Sequence, residues 1–565
     1  MACVERRAGN QFDATQADEE VGARSLGWFR YSMMRRMNAD RLSNSQVLLV
    51  AIQARSRGLV HRMGIRPTAH GLCAAFLGFS SLFGVSEVFA APDGAAATGS
   101  DHSRAAQGLA AGPVVNVQLE ATRLSGVAPL AVMFDASATT TRQASKNPFH
   151  EIRYAFDFGD DRGLKWPVSG LPKNVQEGGA LAAHVFDLPG TYQVKVRATD
   201  PSGITAEKSV AVKVLDPNQV YAGSKTICVS AAGRFEGCPS GASHAAALPS
   251  SDAYSGRRVL LGRGEAFGKI SIPQGSENVQ VGAFGAGAAP QVDSIFVGGI
   301  NPSSSAFPRD ITVMDLAVKQ RFEQFVTMSR LLLYRNTFEV PTGEFYPAQI
   351  NLASALAYIV EHHKLAANQY FQPRELFVVE NRVRGSAANP MMNMAGEGSR
   401  FVILGNDMGT AKQHTVRIWG MHKGFIAHNA LRGRSSDGIR VALKVHSGGL
   451  GDYNDDYAIS GSTWASRQIV IANNRLGDAS DNNSFTGGAS PQNNTDSSRE
   501  GLEDVILENN VFVRGPKTNT EFILMGRRMT SRGNLRADGG KPNINQFDNS
   551  YRLLPPEWAG PFYFQ

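Results

Sequence analysis

An asparagine recurs through the second half of this chain with the same apolar neighbours each time, and that frame limits the fold more than any other feature. Apolar residues stand five and three positions before it, and another stands two after it. Asn336 has Leu331, Leu333 and Phe338; Asn381 has Leu376, Val378 and Val383; Asn406 has Phe401, Ile403 and Met408. Asn474 has Ile469, Ile471 and Leu476, and Asn510 has Val505, Leu507 and Phe512. Asn429 keeps Ile426 and Leu431, with Gly424 in the slot five before. Upstream, Ile311, Val313, Leu316 and Val318 keep the apolar frame without asparagine.

A short strand sends alternate side chains to opposite faces, so the flanking apolar pair points inward. The asparagine then turns the chain and can hydrogen-bond to the asparagine of the next coil. Stacked coils bury a continuous core that no single coil could bury. The steps from Asn381 to Asn406 and from Asn406 to Asn429 are 25 and 23 residues, one coil each. The 45-residue steps from Asn336 to Asn381 and from Asn429 to Asn474 predict loops or an extra coil. One insert, Leu352 to Leu365, reads as a helix with His362 and His363 on its surface. From about Lys225 to the last residue the chain resembles the pectate-lyase-like right-handed parallel β-helix superfamily. That fold carries lyases, hydrolases, epimerases, tailspikes and adhesins, so the resemblance implies architecture before activity.

Residues 113–217 carry short alternating strands and turns instead. Phe156-Asp157-Phe158-Gly159-Asp160-Asp161, His184-Val185-Phe186, Pro189-Gly190-Thr191-Tyr192 and Ala198-Thr199-Asp200 resemble the PKD family. The departures are Phe156 for the family's Trp and Asp161 for its Gly, which bear on the turn geometry. The resemblance implies a non-catalytic, Ig-like β-sandwich acting as a spacer or binding carbohydrate or protein. The predicted fold class is therefore all-β: a PKD/Ig-like β-sandwich plus a right-handed parallel β-helix. The 58 glycines and 8% aromatic content suit such a turn-rich chain.

Residues 1–90 read as an N-terminal extension and signal peptide, and 91–112 as an Ala/Gly/Ser-rich linker. The apolar run Gly71 to Val85 follows Arg62 and Arg66 and ends near Val88-Phe89-Ala90, with cleavage expected after Ala90. Met63 is a plausible start for that signal, which spans about 63–90 and predicts a secreted or periplasmic protein with no membrane span after cleavage. Cys3 and Cys73 fall in the processed region; Cys228 and Cys238 remain, an even pair that predicts a disulfide in an oxidising compartment. The net charge of +7 weakly favours an acidic partner, although much of the excess lies upstream of Pro67. Nucleotide loops, zinc-ligand spacing and a nucleophile elbow are absent from the sequence. An anionic polysaccharide is the expected partner, nucleic acid is not, and a monomer is expected.

The strands before successive frames each place a polar residue between apolar ones: Met392-Asn393-Met394, Val416-Arg417-Ile418 and Leu443-Lys444-Val445. Alternation predicts Asn393, Arg417 and Lys444 in one outward column, with Trp419 and His446 beside it. That column suits β-elimination on a uronate. A lysine among cations can serve as base, and an arginine can clamp the carboxylate. Similar basic columns occur in β-helix lyases acting on alginate and related polyuronates, and this resemblance is carried over to Lys444 and Arg417 alone. Arg440 and His446 are outer catalytic candidates, and Tyr453 is a candidate proton donor. Trp419, Asn393, His414 and Tyr457 are candidate substrate contacts. Asp452, Asp455 and Asp456 are weak calcium candidates in a loop without regular ligand spacing. Asn482, Asn483, Gln492, Asn493 and Asn494 form a polar loop at the groove's rim. No other cofactor is expected.

Two other readings compete. Galacturonan hydrolases on this fold share N-T-D, D-D, G-H-G and R-I-K; this chain has Asp455-Asp456 ahead of Asn494-Thr495-Asp496, in reversed order, and lacks the last two. A non-catalytic glycan-binding or adhesive protein would keep Trp419 and the loops without needing the basic column.

Overall fold

A computed structural model of the chain describes residues 115–142, 147–298, 307–324, 328–339, 348–352, 373–385, 392–433, 441–446, 448–449, 463–464, 466–489 and 502–548. The expected signal peptide, linker and Leu352–Leu365 helix, apart from Leu352 itself, lie outside these residues. Residues 106–565 form one compact unit. The described residues are almost all strand, with helical turns as short as Pro148–Glu151 and Pro217–Val220.

The first module is a β-sandwich. Glu120–Ala121, Leu130–Asp135 and Leu181–Phe186 form one antiparallel sheet. The facing five-stranded sheet runs Ser125–Val127, Thr205–Leu215, Gly190–Thr199, Arg153–Asp157, Val175–Gly178. Phe134, Phe156, Phe158 and Phe186 are fully buried between them. The PKD-like motif residues hold the turns. His184 Nε2 lies 2.9 Å from the Asp160 carboxylate, which also receives Arg162. Tyr192 Oη donates to the Leu188 carbonyl, and Asp200 accepts from the Ser202 and Ile204 amides. Phe156 takes the usual tryptophan's place in the core, and Asp161 is exposed in the turn, where it needs no packing.

The second module is a parallel β-helix whose coils contribute to three sheets. Sheet I holds the strand before each asparagine, from Thr226–Val229 through Ser329–Tyr334 and Arg374–Val379 to 527–532. Sheet II holds two-residue strands after it, such as Arg382–Val383 and Arg475–Leu476. Sheet III returns to the next coil and includes Ala348–Leu352, 392–397, 416–419, Leu443–His446 and Phe485–Ala489.

The asparagines stack as the frame requires. Each side-chain amide donates to the next asparagine's Oδ1: Asn336 to Asn381 at 3.1 Å, Asn381 to Asn406 at 3.1 Å, Asn406 to Asn429 at 2.9 Å, Asn429 to Asn474 at 2.9 Å, and Asn474 to Asn510 at 3.0 Å. Asn534, outside the recognised frame, receives Asn510 at 3.0 Å. Because Asn336 touches Asn381 and Asn429 touches Asn474, the 45-residue steps are single coils with inserted loops, not extra coils. The residue before each asparagine has positive φ, for example Arg335, Glu380, Gly405, His428, Asn473 and Asn509. A second positive-φ row marks the corner entering sheet I: Asp310, Arg330, Glu375, Arg400, Lys423, Gln468, Asp504 and Arg528. One left-handed residue per corner turns the chain without breaking the stack. Gly424 lacks a side chain because Met421 fills its place; a Cβ there would lie 2.1 Å from the Met421 sulfur.

The sandwich lies directly on sheet I. Outward residues of that sheet, among them Leu332, Phe377, Val402, Phe425, Val470 and Ile506, belong to the same buried cluster as the sandwich core. Strands Leu130–Asp135 and Leu181–Phe186 are consequently buried on both faces. Polar and aromatic contacts from both positive-φ rows flank the apolar contact. On one side Arg400 meets Glu120 at 2.7 Å, Lys423 meets Asp135, and Asp504 meets His150 at 3.2 Å. On the other, Lys173 meets Glu380 at 2.7 Å, Arg335 meets Asp187 at 3.4 Å, and His428 stacks on Trp166 at 5.1 Å. The sandwich is thus a cover for the β-helix, where the family resemblance implied a spacer or a binding module. At the other end of sheet I, Cys228 and Cys238 are joined in the expected disulfide.

Candidate functional site

With the middle of sheet I covered and sheet II reduced to two-residue strands, sheet III offers the broad outward face of the coil stack. Register places its outward residues in columns about 4.8 Å apart along the axis. The central column reads Phe296, Glu323, Asn351, Ala395, Arg417, Lys444 and Gly488. Arg417 and Lys444 are direct partners on neighbouring coils, and Trp419 and His446 are partners one step along. Arg417 and Lys444 are both half-buried.

Asn393 does not join that column; Ala395 stands opposite Arg417. Met394 pairs with Val416, so Met392-Asn393-Met394 sits two residues earlier in its strand than Val416-Arg417-Ile418 does; further along, the register skips Gly420 between the Glu397–Trp419 and Gly398–Met421 pairs, where its φ is +56°. A slip of two residues keeps the inward–outward alternation, so the apolar flanks of Asn393 match either register. Asn393 is fully buried, and its amide donates to the Gly409 carbonyl at 2.7 Å, which ties strand to loop.

His446 is also fully buried. Arg417 Nε donates to His446 Nε2 at 3.1 Å, so that ring nitrogen carries no proton in this arrangement. The His446 ring therefore orients the guanidinium, and its Nε2 is not set to release a proton. The backbone here is held too: Ser466 Oγ donates to the His446 carbonyl and accepts from the Met421 amide. His414 is buried, and its Nδ1 accepts from the Val441 amide at 3.2 Å. Trp419 is placed by its backbone alone. Arg440, Tyr453, Tyr457, Asp452, Asp455 and Asp456 lie outside the described residues. Among the described residues no group of three or more His, Cys, Asp or Glu side chains is arranged to hold a metal ion.

Four residues of this face escaped the sequence reading. Glu397 pairs with Trp419 and is almost wholly buried, diagonal to Arg417. Further along, Glu323 has its carboxyl pushed above the usual range by burial, with Arg321 2.8 Å away opposing the shift. Phe296 lies one coil beyond, with Lys269 at 4.8 Å and Arg321 at 5.2 Å from its ring. Asp481 stands at the edge of sheet III, where a Cβ on Gly433 would lie 2.9 Å from its Oδ2 and 2.6 Å from the Ala442 amide. Burial raises Asp481 to about 6, Asp478 adds to the rise, and the Asn483 amide opposes it. Asn483 thus holds a buried carboxyl from within the loop expected to rim the groove. These acids had no motif; only strand register and loop packing bring them to the face.

Parts of the chain match known proteins. A family model described as PKD domain matches residues 112–214. Among solved structures, the PKD domain of human VPS10 domain-containing receptor SorCS2 is 19% identical, covering 23% of this chain and 98% of that one with a TM-score of 0.13. A Yersinia enterocolitica family 28 exopolygalacturonase is 9% identical, covering 77% of this chain and 88% of that one with a TM-score of 0.32. No curated protein matches the chain. No helix among the described residues is long and apolar enough to cross a membrane.

Proposed function

We propose that this protein is an exported polysaccharide-degrading enzyme that cleaves an acidic, uronate-containing polysaccharide by β-elimination on sheet III. The observation that carries this reading is the direct pairing of Arg417 with Lys444 on neighbouring coils, with the guanidinium oriented by His446. Arg417 neutralises the sugar carboxylate and so acidifies the C5 proton. Lys444, as the neutral amine, takes that proton. The electron pair forms the C4–C5 double bond, and the C4–O4 bond breaks. With His446 Nε2 engaged by Arg417, the proton for the departing O4 falls to the Lys444 ammonium or to Tyr453 or Tyr457.

One observation favours a hydrolytic reading instead. Asp481, with its carboxyl raised to about 6, is suited to donate a proton to a glycosidic oxygen. Hydrolysis would also need a second carboxylate facing it across the bond.

One assay separates these. The protein is incubated with a panel of uronate polysaccharides while reducing ends and the ultraviolet absorbance of a new carboxylate-conjugated double bond are followed together. Lyase action raises both, and Lys444→Ala abolishes both while leaving the folded-state circular dichroism unchanged. Reducing ends without the absorbance refute elimination, and a fully active Lys444→Ala variant rejects the assigned base.

A further inference from the structure

The apolar outward column of sheet I does not run its whole length. Before Leu332 the same column reads Thr226, Arg258, Gln280 and Thr312, all polar. Two cavities of about 480 and 410 Å³ lie at this end. Both are lined by Tyr221, so they sit side by side. The first is walled by Asn218, Thr226, Arg258 and Ser240, close to the disulfide loop. The second lies between Gln280, Asn278 and Thr312 of the β-helix and Thr122, Arg123 and Ser125 of the sandwich.

Arg258 is the unusual group. It is 5% exposed, and its guanidinium is aimed by neutral partners: Nε donates to Thr226 Oγ1 at 3.1 Å and Nη2 donates to Asn218 Oδ1 at 2.8 Å. Nη1 has no partner among the described residues, and none of their carboxylates lies within ion-pair distance. Burial pulls Arg258 below the usual arginine range, with Tyr221 and Asp216 opposing. A buried cation with no carboxylate in direct contact is costly. One coil on, Gln280 is 3% exposed; its amide donates to the Ala128 carbonyl at 3.0 Å, but its Oε1 is buried without a hydrogen-bond partner. The column thus presents a cation, an amide oxygen and a hydroxyl at steps of about 4.8 Å. A lone inorganic anion would satisfy only the first of these.

We propose that this trough is a second saccharide site, separate from sheet III, which seats the carboxylate of an acidic oligosaccharide on Arg258 and sugar hydroxyls on Gln280 and Thr312. The choice of a sugar acid rests on the function proposed above; the anion site itself rests on Arg258. Because the sandwich forms one wall, the cover has a binding role as well as a packing one.

The test uses the full chain in the Arg417→Gln background, where carboxylate capture on sheet III is removed. Galacturonate, mannuronate and guluronate tetramers are titrated calorimetrically. At least one is expected to bind, and adding Arg258→Gln is expected to weaken it at least tenfold, with Arg258→Lys intermediate and the melting temperatures matched. Undiminished binding in the Arg258→Gln variant overturns the proposal, as does binding by none of the tetramers or equal binding of the fully methyl-esterified forms. Turnover of the Arg258→Gln single variant at saturating substrate reads sheet III separately and is expected to be unchanged. Loss of the elimination reading with Arg258-dependent binding intact would therefore leave this site standing.

Discussion

Replacing Asn429 by alanine tests whether the asparagine ladder, and not apolar stacking alone, holds the coils in register. Asn429 is fully buried. Its amide donates to the Ile403 carbonyl at 2.8 Å and to Asn474 Oδ1 at 2.9 Å. Its Oδ1 accepts from the Asn406 backbone amide at 2.8 Å and from the Asn406 side chain at 2.9 Å. Four buried hydrogen bonds at about 1 kcal/mol each come to about 4 kcal/mol. The Asn406 N–H and Ile403 carbonyl are then left unpaired inside the stack, which pushes the loss higher. Asn534 makes similar bonds at the end of the ladder but is 9% exposed. Water can replace its partners, so Asn534→Ala should cost about half as much or less. Asn429→Asp keeps the acceptor, loses both donors and sets a charge against two oxygens, so it should cost more than alanine. Equilibrium urea unfolding of the three variants gives the order directly. A loss below about 1 kcal/mol for Asn429→Ala, or an end variant as damaging as the middle one, would refute the ladder as the stabilising element.

Gly179 lies where sandwich and β-helix meet; a Cβ there falls 2.8 Å from Val470, and its amide donates to Glu508 at 2.7 Å. Gly179→Val should cost about 1–3 kcal/mol through overpacking and speed proteolysis of the sandwich, read by limited digestion. His422 and His428 are both held near 3, chiefly by burial, against about 6.5 when unfolded. As pH falls through the unfolded value the unfolded chain takes up protons that the folded chain refuses, so stability present at neutral pH is lost. Each histidine contributes about 1.4 kcal/mol per pH unit below about 6, and His428→Gln should halve that slope in urea melts between about pH 6 and 4.5. The Cys228–Cys238 bridge closes a loop with a sequence separation of 10. Replacing both by serine should cost about 3 kcal/mol on the chain-entropy estimate, measured by thermal melting under non-reducing conditions.

The coil frame was legible because its signal repeats: the inward triplet and the asparagine recur wherever a corner is needed. The pairing of Arg417 with Lys444 was legible for the same reason, since both stand at the same place in their strands. Asn393 was misplaced because a slip of two residues leaves the inward–outward alternation unchanged, so its apolar flanks fit the wrong register as well as the right one. The docking of the sandwich left a trace that alternation alone passes over. Leu331-Leu332-Leu333-Tyr334 and Leu376-Phe377-Val378-Val379 are apolar at outward as well as inward positions, and so is most of Leu130–Phe134. Unbroken apolar runs mark strands covered on both faces. The acids at Glu397 and Asp481 gave no comparable trace, because their places depend on a bulge and on a loop.

The covering of sheet I also sets an order of assembly. The sandwich precedes the β-helix in the chain, so a polypeptide emerging from its N-terminus completes the cover before the apolar column it shields. Its last anchors are remote: Gly179 reaches Glu508 across 329 residues, and Arg532 donates to the His150 carbonyl across 382. Contacts of such separation close only after the intervening coils exist. The two modules can therefore begin folding apart, but their seam is completed from the far end of the helix, and a chain cut short before Glu508 would keep its cover without these last anchors.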